Sequence, residues 1–191
     1  MTGKLFVISA PSGAGKTTLV KAVLEDLQDK YPIKRLITYT TRSIRQGEVD
    51  GQHYHFLSTD EFKAKIKEGF FLEWSTWYDH YYGSPTSIIE EVKNGSSYIA
   101  ILDRAGAADI LEAYSDAILV WINPPSLSLL KGRLKKRGKD TPEVIEKRLI
   151  KAKLEVEQEA KEQLYQYHLI NSDFEEAKNR LISIITTNLG I

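Results

Sequence analysis

The sequence predicts an α/β protein built on a parallel sheet with helices on both faces. Three observations carry this. Short apolar runs alternate with segments of helical period, the first run opens straight into a Gly-rich loop, and helix-capping residues stand where the helical segments begin. Leu5-Phe6-Val7-Ile8 is apolar, partly β-branched and followed by Pro11 and glycines, the pattern of a buried parallel strand. Beyond the loop, Leu19, Val20, Val23, Leu24 and Leu27 recur at helical spacing, so a helix starts near Lys16. Residues 33–57, with Ile33, Leu36, Ile37, Tyr54 and Phe56, predict short strands around a polar loop. Ser58 and Glu61 form a capping box for a helix ending at Gly69. Ser84-Pro85 reads as a cap and first-turn proline of a helix that buries Ile88, Ile89 and Val92. Residues 98–102 and 117–122 are further buried strands with a short helix between them. Ser126 opens a helix carrying Leu127, Leu130 and Leu134, and Thr141-Pro142 opens a longer one to about Gln163. Residues 167–170 form a last strand, and Asp173 with Glu176 caps the closing helix.

Composition narrows the class. With 191 residues and 42% hydrophobic content, the chain can bury one substantial core but not two full domains. Lys plus Arg equals Asp plus Glu at 26 each, so no global basic field gathers nucleic acid, and none is expected as a partner. The lack of cysteine excludes disulfides, thiolate metal sites and a Cys nucleophile. The longest apolar run, residues 117–122, falls far short of the ~20 residues a membrane span needs, and residues 5–10 are too short for a signal peptide. A cytoplasmic protein without a membrane partner is the expectation.

The loop Ala10-Pro11-Ser12-Gly13-Ala14-Gly15-Lys16-Thr17-Thr18 carries the first chemistry. It matches the phosphate-binding pattern of Gly, four residues and Gly-Lys-Ser/Thr, except that Ala10 holds the place of the first Gly. Small residues let successive backbone N–H groups face a phosphate, and the helix N-terminus adds favourable potential. In that reading Lys16 reaches the β- and γ-phosphates and the Thr17 hydroxyl ligates Mg²⁺. A Gly-rich turn with a solvated lysine is the plain alternative.

Further strings follow in order: Thr40-Thr41-Arg42-x-x-Arg45-x-Gly47-Glu48-x-x-Gly51-x-x-Tyr54, Phe71-Leu72-Glu73-Trp74, Tyr81-Tyr82-Gly83-Ser84, Pro124-Pro125-Ser126 and Arg133-Leu134-x-x-Arg137-Gly138. On these the chain resembles the guanylate kinases along nearly its whole length, and alanine at position 10 is common in that family's loop. The resemblance implies a P-loop nucleoside monophosphate kinase fold. Its core would span 1–32, 87–126 and 155–191, its GMP-binding region 33–86 and its lid 127–154. It implies transfer of the γ-phosphate of ATP to GMP with Mg²⁺, with dGMP a further candidate acceptor, in a monomer or weak homo-oligomer.

Carried onto this sequence, the resemblance makes Ser12, Gly13, Ala14, Gly15, Lys16, Thr17 and Thr18 the ATP phosphate site. Arg42, Arg45 and Tyr82 would hold the GMP phosphate beside Tyr54, since guanidinium forks match phosphate oxygens and a phenol adds a donor. Glu73 would accept from guanine N1–H and N2–H₂ while Thr38 donates to O6, a pattern adenine reverses. Ser84 completes the base contacts and Glu48 supports the arginines. Arg137 and Arg148 would meet the moving phosphates from the lid, with Arg133 close by, and Asn171 would contact adenine. Phosphoryl transfer needs no enzyme nucleophile, only positioning and positive charge.

Plainer readings stand beside these. Arg42 and Arg45 alone would be loop charges paired with Glu48 or Asp50, and six cations between Lys131 and Lys139 would be a solvated helix face. His53 and His55 share a strand face with no carboxylate or cysteine at ligand spacing. A kinase for another phosphate acceptor, or a catalytically dead peptide-binding relative, are the competing functions; Glu73 with Thr38 opposes the first, and Lys16 with Thr17 the second. One string departs from the family, Ile101-Leu102-Asp103-Arg104-Ala105-Gly106. Ile101 stands where relatives have an acid and Ala105 where they have Gln. Asp103 keeps the second acid, to orient Mg²⁺ or touch the acceptor, and Arg104 would add charge near the acceptor; a helix-capping Asp103 is the alternative.

Overall fold

The computed structural model describes residues 2–27, 29–77, 79–136, 138 and 141–191, with only the backbone of Trp77. β1 (Leu5–Ser9) lies at the centre of a five-stranded sheet with β7 (Ser97–Ile101), β8 (Ile118–Asn123), β2 (Ile33–Arg35) and β9 (Tyr167–Ile170), in the order β2-β7-β1-β8-β9. Every pairing in it is parallel. Such a sheet needs cover on both faces, and alternation along β1 shows how it is met. Phe6 and Ile8 pack with Leu19, Val23, Leu181 and Ile185 of α1 (Lys16–Leu27) and α7 (Phe174–Leu189). Leu5 and Val7 face the opposite way, towards Ile88 and Val92 of α3 (Ser87–Lys93) and Ala107 and Ile110 of α4 (Arg104–Ala113). Strand order reverses at β1, and the carboxyl ends beside such a reversal form the natural cleft of an open parallel sheet.

A second sheet, β4-β3-β6-β5, stands over that cleft. β3 (Tyr39–Thr40) runs parallel to β4 (His55–Phe56), while β6 (His80–Pro85) pairs antiparallel with β3 and β5 (Phe71–Trp77). The expected short strands near 33–57 are present, but Ile33–Arg35 joins the central sheet. The longer hairpin of β5 and β6 was not read from the sequence. The helix expected to open at Ser84-Pro85 begins at Ser87 instead, and Ser84 and Pro85 close β6. The reason is competition for the hydroxyl, because Ser84 Oγ donates to Glu73 Oε1 at 2.6 Å and caps nothing. The capping box at Ser58, on α2 (Thr59–Lys67), and the caps at Thr141 and Asp173 form as read. Two helices complete the fold, α5 (Leu127–Lys136) and α6 (Pro142–Glu162). Among the described residues no helix is long and apolar enough to cross a membrane.

Phe62 of α2 fastens the second sheet. Fully buried, it stacks on Phe71 at 4.2 Å and on Tyr81 at 5.3 Å, one residue from each strand of the hairpin. Phe62→Ala should therefore destabilise the protein by about 3–5 kcal/mol, read as a lower melting temperature or denaturant midpoint.

Candidate active site

The loop after β1 reaches the N-terminus of α1 through two glycines in the left-handed region, Gly13 at φ 89° and Gly15 at φ 94°. A Cβ on Gly15 would stand 2.7 Å from Asn171 Nδ2, and one on Gly13 would press on Leu130 and Leu134 of α5. The loop is held from behind. Ala14, fully buried, has a carbonyl that accepts from Asn171 Nδ2 at 2.8 Å and from Arg133 Nη1 at 3.4 Å, and Arg133 Nη2 donates to the Asn171 carbonyl at 3.1 Å. Asn171 is itself only 4% exposed, and its amide braces the loop. Lys16 Nζ donates to the Ala10 carbonyl.

A cavity of about 280 Å³ opens in front of the loop, with Ser12, Lys16 and Thr17 on one wall and Thr38, Tyr54, Glu73 and Tyr82 on the other. Glu73 and Ser84 are cross-strand partners in the β5–β6 hairpin, which explains their contact. Gly106 leaves room for the carboxylate, since a Cβ there would lie 3.0 Å from Glu73 Oε2. Burial pushes the Glu73 carboxyl up to about 7; the Ser84 hydrogen bond opposes this and the Asp103 and Asp109 charges add to it.

Arg42, 7% exposed, is fixed by its carboxylate partner. Its Nη2 donates to both oxygens of Glu48 at 2.8 and 2.9 Å, and its Nη1 to the Ser43 carbonyl at 2.7 Å. Glu48 also accepts the Arg45 backbone N–H at 2.8 Å. Burial works against the Glu48 charge, but these donors outweigh it and hold its carboxyl below the usual range. The Arg42 guanidinium lies 5.4 Å from the Tyr54 ring centroid, and Tyr54 and Tyr82 meet edge-on at 6.1 Å. Arg45 is exposed on the same loop and does not line the cavity. His53 Nδ1 accepts the Val49 N–H and His55 stacks on Tyr39, so both serve the strand locally.

Between the two walls stands Asp103. It caps α4, with Oδ1 accepting the Gly106 N–H at 2.9 Å, and it lines the cavity as well. The capping reading of Asp103 is met, and the same side chain reaches the cavity. Ile101 and Leu102 make an apolar flank beside it. Arg104 does not add charge near the acceptor wall. It turns to α6, where Nη2 lies 2.7 Å from Glu162 and 3.4 Å from Glu159, because those carboxylates offer a partner that the apolar flank does not. Sequence reasoning missed Ser75 and Glu155, which also line the cavity. Ser75 was legible as the residue two along β5 from Glu73, and Glu155 as the residue one turn after buried Ala152 on α6. Arg148, half-buried, lies two turns before Glu155 on that helix, and Arg137 lies outside the described residues.

A strand–loop–helix phosphate cradle at the turning point of a parallel sheet, opposite a wall of phenols and a buried carboxylate with the Arg42 guanidinium packed against Tyr54, defines a P-loop kinase. The guanylate kinase family model matches residues 2–188, and the chain belongs to that family. It is 44% identical over 185 residues to a guanylate kinase of Maricaulis maris, covering 96% of this chain and 82% of that one. With a guanylate kinase of Caldanaerobacter subterraneus it shares 41% over 184 residues, covering 96% and 86%. The crystal structure of guanylate kinase from Anaplasma phagocytophilum superposes with a TM-score of 0.78 at 27% identity, covering 97% of this chain and 86% of that one.

The raised Glu73 carboxyl makes stability depend on pH. A group whose folded value lies above its unfolded one stabilises fully at low pH and loses that contribution as pH rises through the folded value. Between about pH 4.5 and 7 the protein should thus lose on the order of 3 kcal/mol through this group. Glu73→Gln, which does not titrate, should lack that slope. Denaturation of both proteins at pH 5 and pH 8 measures it, and parallel curves would refute the assignment.

Proposed function

We infer that the chain transfers the γ-phosphate of ATP to GMP, giving ADP and GDP. The observation that carries this is the buried Glu73 carboxylate facing Ser12, Lys16 and Thr17 across one cavity, with Tyr54 and Tyr82 in the same wall and Arg42 packed against Tyr54. Backbone N–H groups of residues 12–18 and the N-terminus of α1 bind the ATP phosphates. Lys16 exchanges the Ala10 carbonyl for the β- and γ-phosphates. Glu73 accepts from guanine N1–H and N2–H₂, Thr38 donates to O6, and Ser84 fixes the Glu73 rotamer. Arg42, oriented by Glu48, holds the acceptor phosphate with Tyr54 and Tyr82, and Arg45 joins them from the rim. An acceptor phosphate oxygen attacks the γ-phosphorus in line. The new P–O bond forms as the bond to the β-phosphate oxygen breaks, and ADP departs with that oxygen.

The oxygen donors at this end of the cavity, the Thr17 hydroxyl and the Asp103 and Glu155 carboxylates, suit a hard divalent cation. Thr17 with Asp103 would hold Mg²⁺, which offsets negative charge on the phosphates when bound with ATP. Arg148, and Arg137 with it, supply positive charge to the moving phosphoryl group as residues 127–154 close and exclude water. A second acceptor, dGMP, presents the same base and phosphate to these residues.

ADP release with ATP plus each of GMP, dGMP, AMP, UMP and CMP tests the assignment. GMP should be preferred strongly, and equal rates with AMP would sink it. Lys16→Ala should lower kcat by several orders of magnitude with an unchanged melting temperature, because the ammonium acts on transferring charge and is not part of the core.

A further inference from the structure

Behind the cavity lies a charged cluster that the reaction above does not use. Glu159 of α6 is 3% exposed, yet its carboxylate is met from three directions. Arg104 of α4 stands 3.4 Å away, the backbone N–H groups of Leu164 and Tyr165 donate at 3.3 and 3.2 Å, and His168 Nε2 of β9 lies at 3.0 Å. The two backbone donors are aimed at it because the chain turns at Gln163, which ends α6 in the left-handed region at φ 49° and ψ 50°. Arg104 also reaches Glu162, so one guanidinium bridges two carboxylates of the last turn of α6.

The cluster sits where three site-bearing elements meet. Arg104 follows Asp103 and begins α4. Glu159 stands one turn beyond Glu155, the α6 side chain in the cavity wall. His168 lies on the strand that leads into Asn171, the brace of the phosphate loop. Away from this junction α6 packs chiefly on α5. A helix anchored at one end by ion pairs and by two backbone donors to a buried charge can turn about that end but cannot slide. We propose that the Arg104–Glu159 pair is the pivot that sets the angle of α6 over the phosphates, which makes Arg104 a positioning residue for phosphoryl transfer. The inference rests on the phosphotransferase reading above. It explains why a charge stands at position 104, buried against α6 and turned away from the cavity.

A pair that only stabilises the fold would behave differently from a pivot, and three variants separate the two. Arg104→Met should lower kcat about tenfold or more while KM for ATP and for GMP stays within about twofold, since misplacement falls on the transition state. Arg104→Lys, which keeps the charge, should recover part of kcat. Arg104→Met/Glu159→Gln removes both charges, so it should regain the parental melting temperature while kcat stays low. A double variant with parental Tm and parental kcat overturns the proposal, as does kcat that merely tracks Tm across the series, or a change confined to KM. Should Arg104→Met fail to fold, the double variant alone carries the comparison. Absence of GMP-dependent ADP release in the unaltered protein would overturn the phosphotransferase reading and the pivot together, a result distinct from loss in the variants only.

Discussion

Backbone N–H groups can hold a phosphate only if the carbonyls of the same turn point elsewhere and are satisfied there, because an orphaned buried carbonyl costs about as much as a lost hydrogen bond. In this chain the constraint falls on Ala14. Its carbonyl lies in the core and takes the Asn171 amide and the Arg133 guanidinium, from the end of β9 and from α5. The rest of the site follows from that arrangement. β9 must end at the loop, α5 must cross it closely enough for Leu130 and Leu134 to touch Gly13, and Gly15 must lack a side chain to admit Asn171.

The acceptor wall obeys a second constraint. A carboxylate that reads a base edge must be buried to select and ionised to accept, and burial opposes ionisation. Ser84 partly offsets the cost through a short hydrogen bond from the neighbouring strand, and Gly106 gives the carboxylate space at the first turn of α4. The Glu73 carboxyl nonetheless sits near neutrality, where a ligand that donates two hydrogen bonds favours the charged form. Arg42 and Glu48 form a second such pairing, each keeping the other ionised.

Those parts of the fold that depend on local chemistry were legible in the sequence. The loop with its flanking strand and helix, the capping box at Ser58 and the caps at Thr141 and Asp173 are all written within a few residues of where they act. Features set by distant partners were not. Ser84-Pro85 carries the signature of a helix start, but Glu73 claims the hydroxyl across a hairpin, and no local pattern reveals that. The β5–β6 hairpin was hidden because Phe71, Trp74, Trp77, Tyr81 and Tyr82 do not fall at alternate positions, which blurs the alternation that marks a strand. Asn171 was identified as a site residue by resemblance, while its bond to Ala14 spans most of the chain. The partner of Arg104 lies on a helix more than fifty residues away and was likewise invisible.

The apolar flank made by Ile101 and Leu102 has a consequence for ligand selectivity. The cavity is ionic at both ends, yet here its side offers hydrocarbon. A guanine nucleotide analogue carrying a small alkyl group towards this flank would gain about 0.8 kcal/mol per buried methylene. In a relative with an acid at that position the same group would meet a solvated charge and displace its water. Inhibitors grown in this direction would draw their selectivity from the Ile101 and Leu102 side chains.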